Sequence, residues 1–474
     1  MDMRKALMNL YLNSPAFIKD MVLSGMLLMQ NRIRYGKFYK KYLAIYAANK
    51  TKGETEIRAY QLIELKKILI EAATYSPYYQ QQFSSIGLTI DQIQKATTVD
   101  ALIAQLPVLP KATLKSSNLQ IRNTNRPEDY INHTSGTSGS PTVIAYDAES
   151  FQIGFALWRR FHDWIELPEK FKSVRLSGKI LMPPTQQKPP FWVYNAPAQQ
   201  LFMSVYHLTA ENLPAYIDKL NAFKPDFIDA YPSAIYLIAQ YINNHQIKLQ
   251  FQLKAIATTA ETLYAHYRVE IEKAFNCNVY NQYSSSEGGP FIVECPQHQL
   301  HLNLDSGVFE FLTSDGSNAK PGEMGELTVT SLRQWKTPLI RYRTGDWVRV
   351  SEKSYSFQAC ACGCQMPVVE EIVGRQEDIL YTKEKGFVGR MDPAYKGLEG
   401  IVKSKIIQHT EDQFEVLNVT DENYTAAMEE KFLRNLRDRL GEQVKIEIKN
   451  VTDIPLGASG KFKAVERKFE LRQL

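Results

Sequence analysis

No stretch of this 474-residue chain is long and apolar enough to span a bilayer. The most hydrophobic early segment, Met21–Asn31, lies between Asp20 and Arg32 and falls far short of the roughly 20 apolar residues a span needs. It ends in no small-residue cleavage site, so an export signal is not expected and cytoplasmic residence is. Cysteine is scarce, five residues in all, which excludes the disulfide framework of a small secreted domain. Three of the five crowd together as Cys360, Cys362 and Cys364, which suits a metal or free thiols instead. An excess of one charge is missing too: 56 basic and 51 acidic residues leave +5, too little to call for nucleic acid. Internal repeats, low-complexity runs and the G-x-x-x-x-G-K-[ST] phosphate loop are all absent.

What is present reads as a layered α/β protein. The length exceeds what one hydrophobic core organises, so two or three domains are expected. The first hundred residues read mostly helical, with Ile57, Leu62, Ile63, Leu65, Ile68, Leu69 and Ile70 close to a helical stripe. "SPYYQQQF" (Ser76–Phe83) reads as an aromatic loop. From Leu106 to about Leu312, strand-like runs ("VIAYD", "KAIATTA") alternate with helical ones that end near Pro225 and Asn244. In the tail, Phe432, Leu436 and Leu440 stand four apart before Gly441, and Val444, Ile446 and Ile448 then alternate with charges. The simplest division is a large α/β N-terminal domain over 1–375, a hinge at 376–378 and a small mobile α+β C-terminal domain over 379–474. The basic–aromatic run containing Arg32, Arg34, Lys37, Lys40 and Lys41 is read as a solvated helix face, with contact to anionic lipid or an acidic partner as its alternative.

The most unusual loop is "TSGTSGSP", Thr134–Pro141. Glycines let backbone fold closely round a ligand, so that N–H groups and hydroxyls converge on one anion. Taken alone, such a loop is more often a plain connection. Four further motifs follow in order: "NQYSSSEGG" (Asn281–Gly289), "PLIRYRTGD" (Pro338–Asp346), "GRQEDIL" (Gly374–Leu380) and "PLGASGKFK" (Pro455–Lys463). Together the five resemble the signature set of the adenylate-forming superfamily, across nearly the whole chain. Within it the chain is most similar to phenylacetate–CoA ligases, especially their capsule-biosynthesis-associated relatives, through "RYGKFYKKYL", "DFIDAYPSAIYLIA", "IATTAETL" and "TPLIRYRTGD".

The resemblance implies a two-step reaction. A carboxylate attacks the α-phosphate of ATP, giving an acyl adenylate and pyrophosphate; a thiol, usually that of coenzyme A, then displaces AMP. It implies that Thr134, Ser135, Gly136, Thr137, Ser138 and Gly139 hold the β- and γ-phosphates. Ser140 stands where many relatives carry lysine. Tyr283 would lie against adenine, bordered by Ala260 and Glu261, with Ser286 and Glu287 at the α-phosphate and its Mg²⁺. A carboxylate suits that hard cation. Asp346 would accept from both ribose hydroxyls, with Arg375 as its partner. Arg341 and Arg343 read equally well as structural ion-pair members. Lys461 would bridge the incoming carboxylate and the α-phosphate, delivered by a domain that rotates between the half-reactions. Lys463 is its rival.

Two features lie outside this set. Cys360-Ala-Cys362, read as an extended strand, would put two sulfurs on one side, and "ECPQHQLH" adds Cys295, His298 and His301. Cys295, His301, Cys360 and Cys362 make a tetrahedral structural zinc set, with His298 and Cys364 as substitutes; several phenylacetate-ligase relatives carry a similar cluster. Cys277 reads as core. For the acid, "PPFWVYNAP", "SVYHL" and "DAYPSAIY" supply Phe191, Trp192, Tyr194, Tyr206, His207, Tyr231 and Ser233; these aromatic walls suit an aryl or short acyl acid, their polar tips equally admit an amino or sugar acid, and any of the aromatics reads equally well as core. Alternatives are transfer of the acyl group to an amine or a carrier-protein pantetheine, or a non-catalytic relative. Against the last stand Glu287, Asp346, Arg375 and Lys461.

Overall fold

The structure, a computed structural model, describes residues 3–133, 142–183, 185–375, 380–388, 391–395, 397–457 and 460–469. It is a mixed α/β protein with a large N-terminal domain and a smaller C-terminal sheet domain. Its internal contacts gather the chain into two compact bodies, one of Met1–Leu28, Glu169–Asn281 and Val373–Leu474, the other of Met29–Pro168 and Gln282–Ile372.

In the first body Val279–Asn281, Ala255–Thr258, Phe227–Ala230, Ser173–Ser177 and Gln200–Ser204 run parallel side by side, and Trp192–Asn195 closes the edge antiparallel. Phe227–Ala230 and Ala255–Thr258 are buried at every position, as parallel strands covered by helices must be. The helices Leu213–Phe223, Pro232–Asn244 and Ala265–Phe275 contribute to the same core, where Ile235 and Ile271 join Ile228, Ile256 and Val279. Pro232 opens its helix at a position that needs no N–H, and Lys224 ends the preceding one in the left-handed region at φ 53°.

The C-terminal domain has its own core. The antiparallel pair Ile401–Gln408 and Gln413–Thr420 is flanked by Val465–Arg467 and Lys445–Asn450, each parallel to its neighbour. Helix Ala426–Leu440, capped by Thr425 and stopped at Gly441, buries Phe432, Leu436 and Leu440 with Ile406, Phe414 and Val416. Burial of each such side chain contributes about 1.5–3 kcal/mol.

In the second body Tyr130–His133 and Val143–Tyr146 form an antiparallel pair. Asp147 then caps helix Ala148–Trp164 by accepting from the Ser150 N–H at 2.8 Å. Gly307–Leu312, Met324–Ser331 and Tyr342–Arg349 make an antiparallel sheet. "SPYYQQQF" is not a loop: Pro77–Ser85 is a helix that starts on its proline and buries Tyr79 and Phe83, four apart. Proline before an aromatic pair here marks a first turn rather than a break. Among the described residues no helix is long and apolar enough to cross a membrane.

A buried bidentate pair sits at the heart of this body. Arg160 Nη1 and Nη2 donate to the Asp305 carboxylate at 2.6 and 3.1 Å, and both side chains are almost fully buried. Removing one partner leaves the other charged and dry. Asp305→Ala is therefore expected to cost about 3–5 kcal/mol, read as a lowered urea midpoint; an unchanged midpoint would show that the pair contributes nothing.

Candidate active site

Within the second body, several residues singled out from the sequence converge. The Tyr283 hydroxyl, at the end of its strand, donates to Asp346 Oδ2 at 2.7 Å. Burial first, and then the Asp346 carboxylate, raise the Tyr283 pKa and keep the phenol protonated. Three residues on, the chain turns tightly. The Ser286 carbonyl accepts from the Tyr146 hydroxyl at 2.8 Å and from the Asn132 amide at 3.2 Å. Gly288 adopts φ 93°, and a Cβ there would lie 2.7 Å from Gln334. That turn buries Glu287, whose carboxylate accepts from the Tyr342 hydroxyl at 3.4 Å.

Asn132 and Tyr146 belong to the strand pair that brackets the hydroxyl-rich loop, and His133 is paired with Val143. The loop's ends are thus tied to the Ser286–Glu287 turn. Thr134, Ser135, Gly136, Thr137, Ser138 and Gly139 themselves lie outside the described residues. Arg341 and Arg343 are ion-paired, to Glu310 at 2.7 Å and Glu326 at 2.9 Å, the structural half of the two readings offered for them.

The first body assembles a second group. Ala260 takes φ 72°, a conformation rare for a residue with a side chain, and presents Glu261. The Glu261 carboxylate accepts from the Ser233 N–H at 3.0 Å and the Phe462 N–H at 2.6 Å. Burial raises its pKa; the two amides and the nearby Lys461 ammonium oppose the shift. Gly460, at φ 72°, packs so closely that a Cβ would lie 2.8 Å from Gly178 Cα and 3.0 Å from the Tyr206 ring. The loop bearing Lys461 is thus seated beside Ser233, Tyr206 and Glu261. Tyr231 precedes the helix that Pro232 begins, and burial, with the Glu261 charge, raises its pKa. Arg375 ends its strand next to Gly374, where an added Cβ would lie 3.1 Å from Thr262 Oγ1. The hinge positions 376–378 lie outside the described residues.

The cysteine cluster also forms. Ligand atoms of Cys295, His301, Cys360 and Cys362 all lie within 4.8 Å of one another. The Cys295 and Cys360 sulfurs are 3.9 Å apart, and Cys362 Sγ is 3.5 Å from His301 Nε2. A tetrahedron with ordinary zinc–sulfur and zinc–nitrogen bonds has edges of about 3.8 and 3.6 Å. His301 Nδ1 faces the Met366 carbonyl at 2.8 Å, which leaves Nε2 for the ligand position. The Cys295 thiol, with His301 and against burial, pulls Cys362 down to about 3, so a thiolate is favoured there. One expectation changes: Cys360 and Cys362 are not on a strand. The Gly363 N–H closes a turn on the Cys360 carbonyl at 2.9 Å, with Gly363 at φ 85°, and the turn converges the sulfurs. His298 is engaged instead with Glu294 at 2.9 Å.

Residues 380–468 match the family model "CapK C-terminal domain". Protein CapK of Staphylococcus aureus is 31% identical over 95% of this chain and 97% of its own length. The chain belongs to the CapK family. It is also similar to phenylacetate–CoA ligases: a phenylacetate-coenzyme A ligase of Pseudomonas putida is 24% identical over 68% of this chain and 72% of its own. The fold is that of a 2-hydroxyisobutyryl-CoA ligase in its postadenylation state, with a TM-score of 0.69 at 18% identity, covering 89% of this chain and 91% of that one.

Not every aromatic expected at the acyl site of this CapK-family protein joins the group round Glu261. Trp192 and Tyr194 turn towards helix Leu213–Phe223, edge-on to Tyr216 and Phe223. His207 is interior: it stacks on Phe191 at 5.0 Å, and its ring nitrogens meet Ser204 Oγ at 2.8 Å and the Pro183 carbonyl at 3.1 Å. Burial lowers its pKa. Alternation along an edge strand sends every second side chain to the helix face, and the sequence does not say which face is the site. Conversely, Tyr146, Asn132 and Gln334, which fix the Ser286–Glu287 turn, and Gly178, which receives Gly460, lie outside every motif; no local pattern signals them.

Proposed function

We propose that the chain is an ATP-dependent carboxylate ligase: it joins an organic acid to AMP with release of pyrophosphate, then passes the acyl group to the thiol of coenzyme A. The observation that carries the reading is the seat of the Lys461 loop against Gly178, Tyr206, Ser233 and Glu261. An ammonium delivered there serves the step in which two anions must meet. In this reading Glu287 contributes a carboxylate oxygen to the Mg²⁺ that accompanies ATP, and Ser286 lies at the α-phosphate. Tyr283 faces adenine, Asp346 and Arg375 hold the ribose, and the loop at Thr134–Gly139 grips the leaving phosphates. Tyr206, Tyr231 and Ser233 line the place of the acid. Rotation of the C-terminal domain about 376–378 then exposes the adenylate to the thiol. The Cys295–His301–Cys360–Cys362 set holds a structural zinc ion.

The test is pyrophosphate release from purified protein, ATP and Mg²⁺ across a panel of aryl, short acyl, amino and sugar acids, with and without coenzyme A. Acid-dependent release that accelerates with coenzyme A and yields a thioester is the expected result. Release that needs an amine or a carrier protein instead would replace the acceptor, and no release with any acid would overturn the reading.

A further inference from the structure

The two N-terminal helices, Met3–Asn13 and Ala16–Arg34, leave apolar surface where a water-facing helix carries polar residues. The second helix buries one stripe, Lys19, Leu23 and Leu27. Leu23 and Leu27 pack with Leu181, Met182, Val193 and Phe202. Asp20 accepts from the Tyr194 N–H at 2.7 Å, and Ser24 Oγ from the Ala196 N–H at 3.2 Å, so the seating of this helix is fixed. The sides left outward are not polar. Phe17, Met21, Met26 and Leu28 on this helix, and Leu7 and Leu10 on the first, are each more than half exposed; Met21 and Leu10 reach 70% and 72%. A helix apolar all round is normally buried in protein or lipid, and clustered exposed hydrophobics mark an interaction surface.

Charge selects the partner. The first 41 residues hold eight basic and two acidic side chains, against 56 and 51 in the whole chain, so even without the buried Lys19 they match its entire surplus of +5. The second helix ends in an exposed Arg32, and in Arg34, whose guanidinium donates to Gln30 at 2.6 Å and lies over the Phe155 ring. The occupant must therefore be acidic at its rim and apolar within. A second copy of the chain would bring the same positive charge and be repelled. An anionic bilayer offers phosphates at the level of the basic groups and acyl chains beneath them. No described helix is long and apolar enough to cross, so the helices lie on the membrane rather than through it. We propose that Met3–Asn13 and Ala16–Arg34 form an in-plane docking surface for anionic lipid bilayers.

Co-sedimentation of the full-length protein with phospholipid vesicles tests this. With vesicles of phosphatidylcholine mixed with phosphatidylglycerol most of the protein is expected in the pellet, and with phosphatidylcholine alone most stays in solution. Raised salt should reduce the bound fraction, since charge supplies part of the attraction. A Phe17→Glu/Met21→Glu variant should lose pelleting at least tenfold while keeping its circular dichroism and its activity in solution. Arg32→Glu, which spares the apolar face, should weaken the preference for anionic vesicles. Equal pelleting with both vesicle types, or none with either, would overturn the proposal. So would a concentration-dependent dimer, abolished by Phe17→Glu/Met21→Glu, in a protein that ignores vesicles.

Discussion

Lys461→Ala is expected to lower acid-dependent pyrophosphate release by about 100- to 1,000-fold, the range found when one preorganised charge-stabilising donor is removed from an active site. ATP binding, followed by calorimetry, should change little, because in the proposed reaction the lysine acts where the acid meets the nucleotide. Thioester formation from a synthetic acyl adenylate should survive, which separates loss of one half-reaction from loss of fold. Geometry makes Lys461 the better candidate than its neighbour Lys463. It lies between Gly460, wedged against Gly178, and Phe462, whose N–H is held by Glu261, and its charge acts on that carboxylate. Lys463→Ala should therefore retain most of the activity. Full pyrophosphate release by the Lys461→Ala protein would remove the lysine from the reaction.

Cys362→Ser should have the largest effect on stability. Purified protein is expected to carry about one zinc per chain, and the variant much less, by plasma emission spectroscopy. Structural zinc binding is worth about 10–16 kcal/mol where it drives folding outright. In a site already braced by the Met366 carbonyl and by the turn at Gly363, a loss of roughly 5 kcal/mol is expected, seen as a lower thermal transition that chelation of the wild type reproduces. The sulfurs of Cys295 and Cys360, 3.9 Å apart, are far beyond a disulfide's bond length of about 2 Å, so oxidation is not what joins these segments. Metal-free protein with an unaltered thermal transition would refute the zinc assignment.

Much of this was legible in the residues because the signals are local. A short apolar run locates Ala255–Thr258, helical patterns locate Pro232–Asn244 and Ala426–Leu440, and the motifs single out Tyr283, Glu287, Asp346 and Lys461. What the residues could not reveal depends on partners far along the chain. Tyr79 is helical and buried because its hydroxyl bridges the Pro338 carbonyl and the Ile340 N–H, more than 250 positions away. His207 looks like a pocket residue until its neighbours Ser204, Pro183 and Phe191 are known. Glu261 was placed beside adenine from its motif; that its carboxylate clasps the Phe462 amide is a tertiary fact. Cys360 and Cys362 come close to Cys295 and His301, though by a turn rather than an extended strand.

The clasp at Glu261 is not alone. Gln240 Nε2 donates to the Ile401 carbonyl at 3.0 Å and the Tyr395 ring stacks on His266 at 5.2 Å, so the C-terminal sheet is held at several separate points. A single charge-assisted hydrogen bond contributes about 1.5–3 kcal/mol, an equilibrium bias of only one to two orders of magnitude. In the proposed reaction, each of these contacts has to part before the thiol can approach.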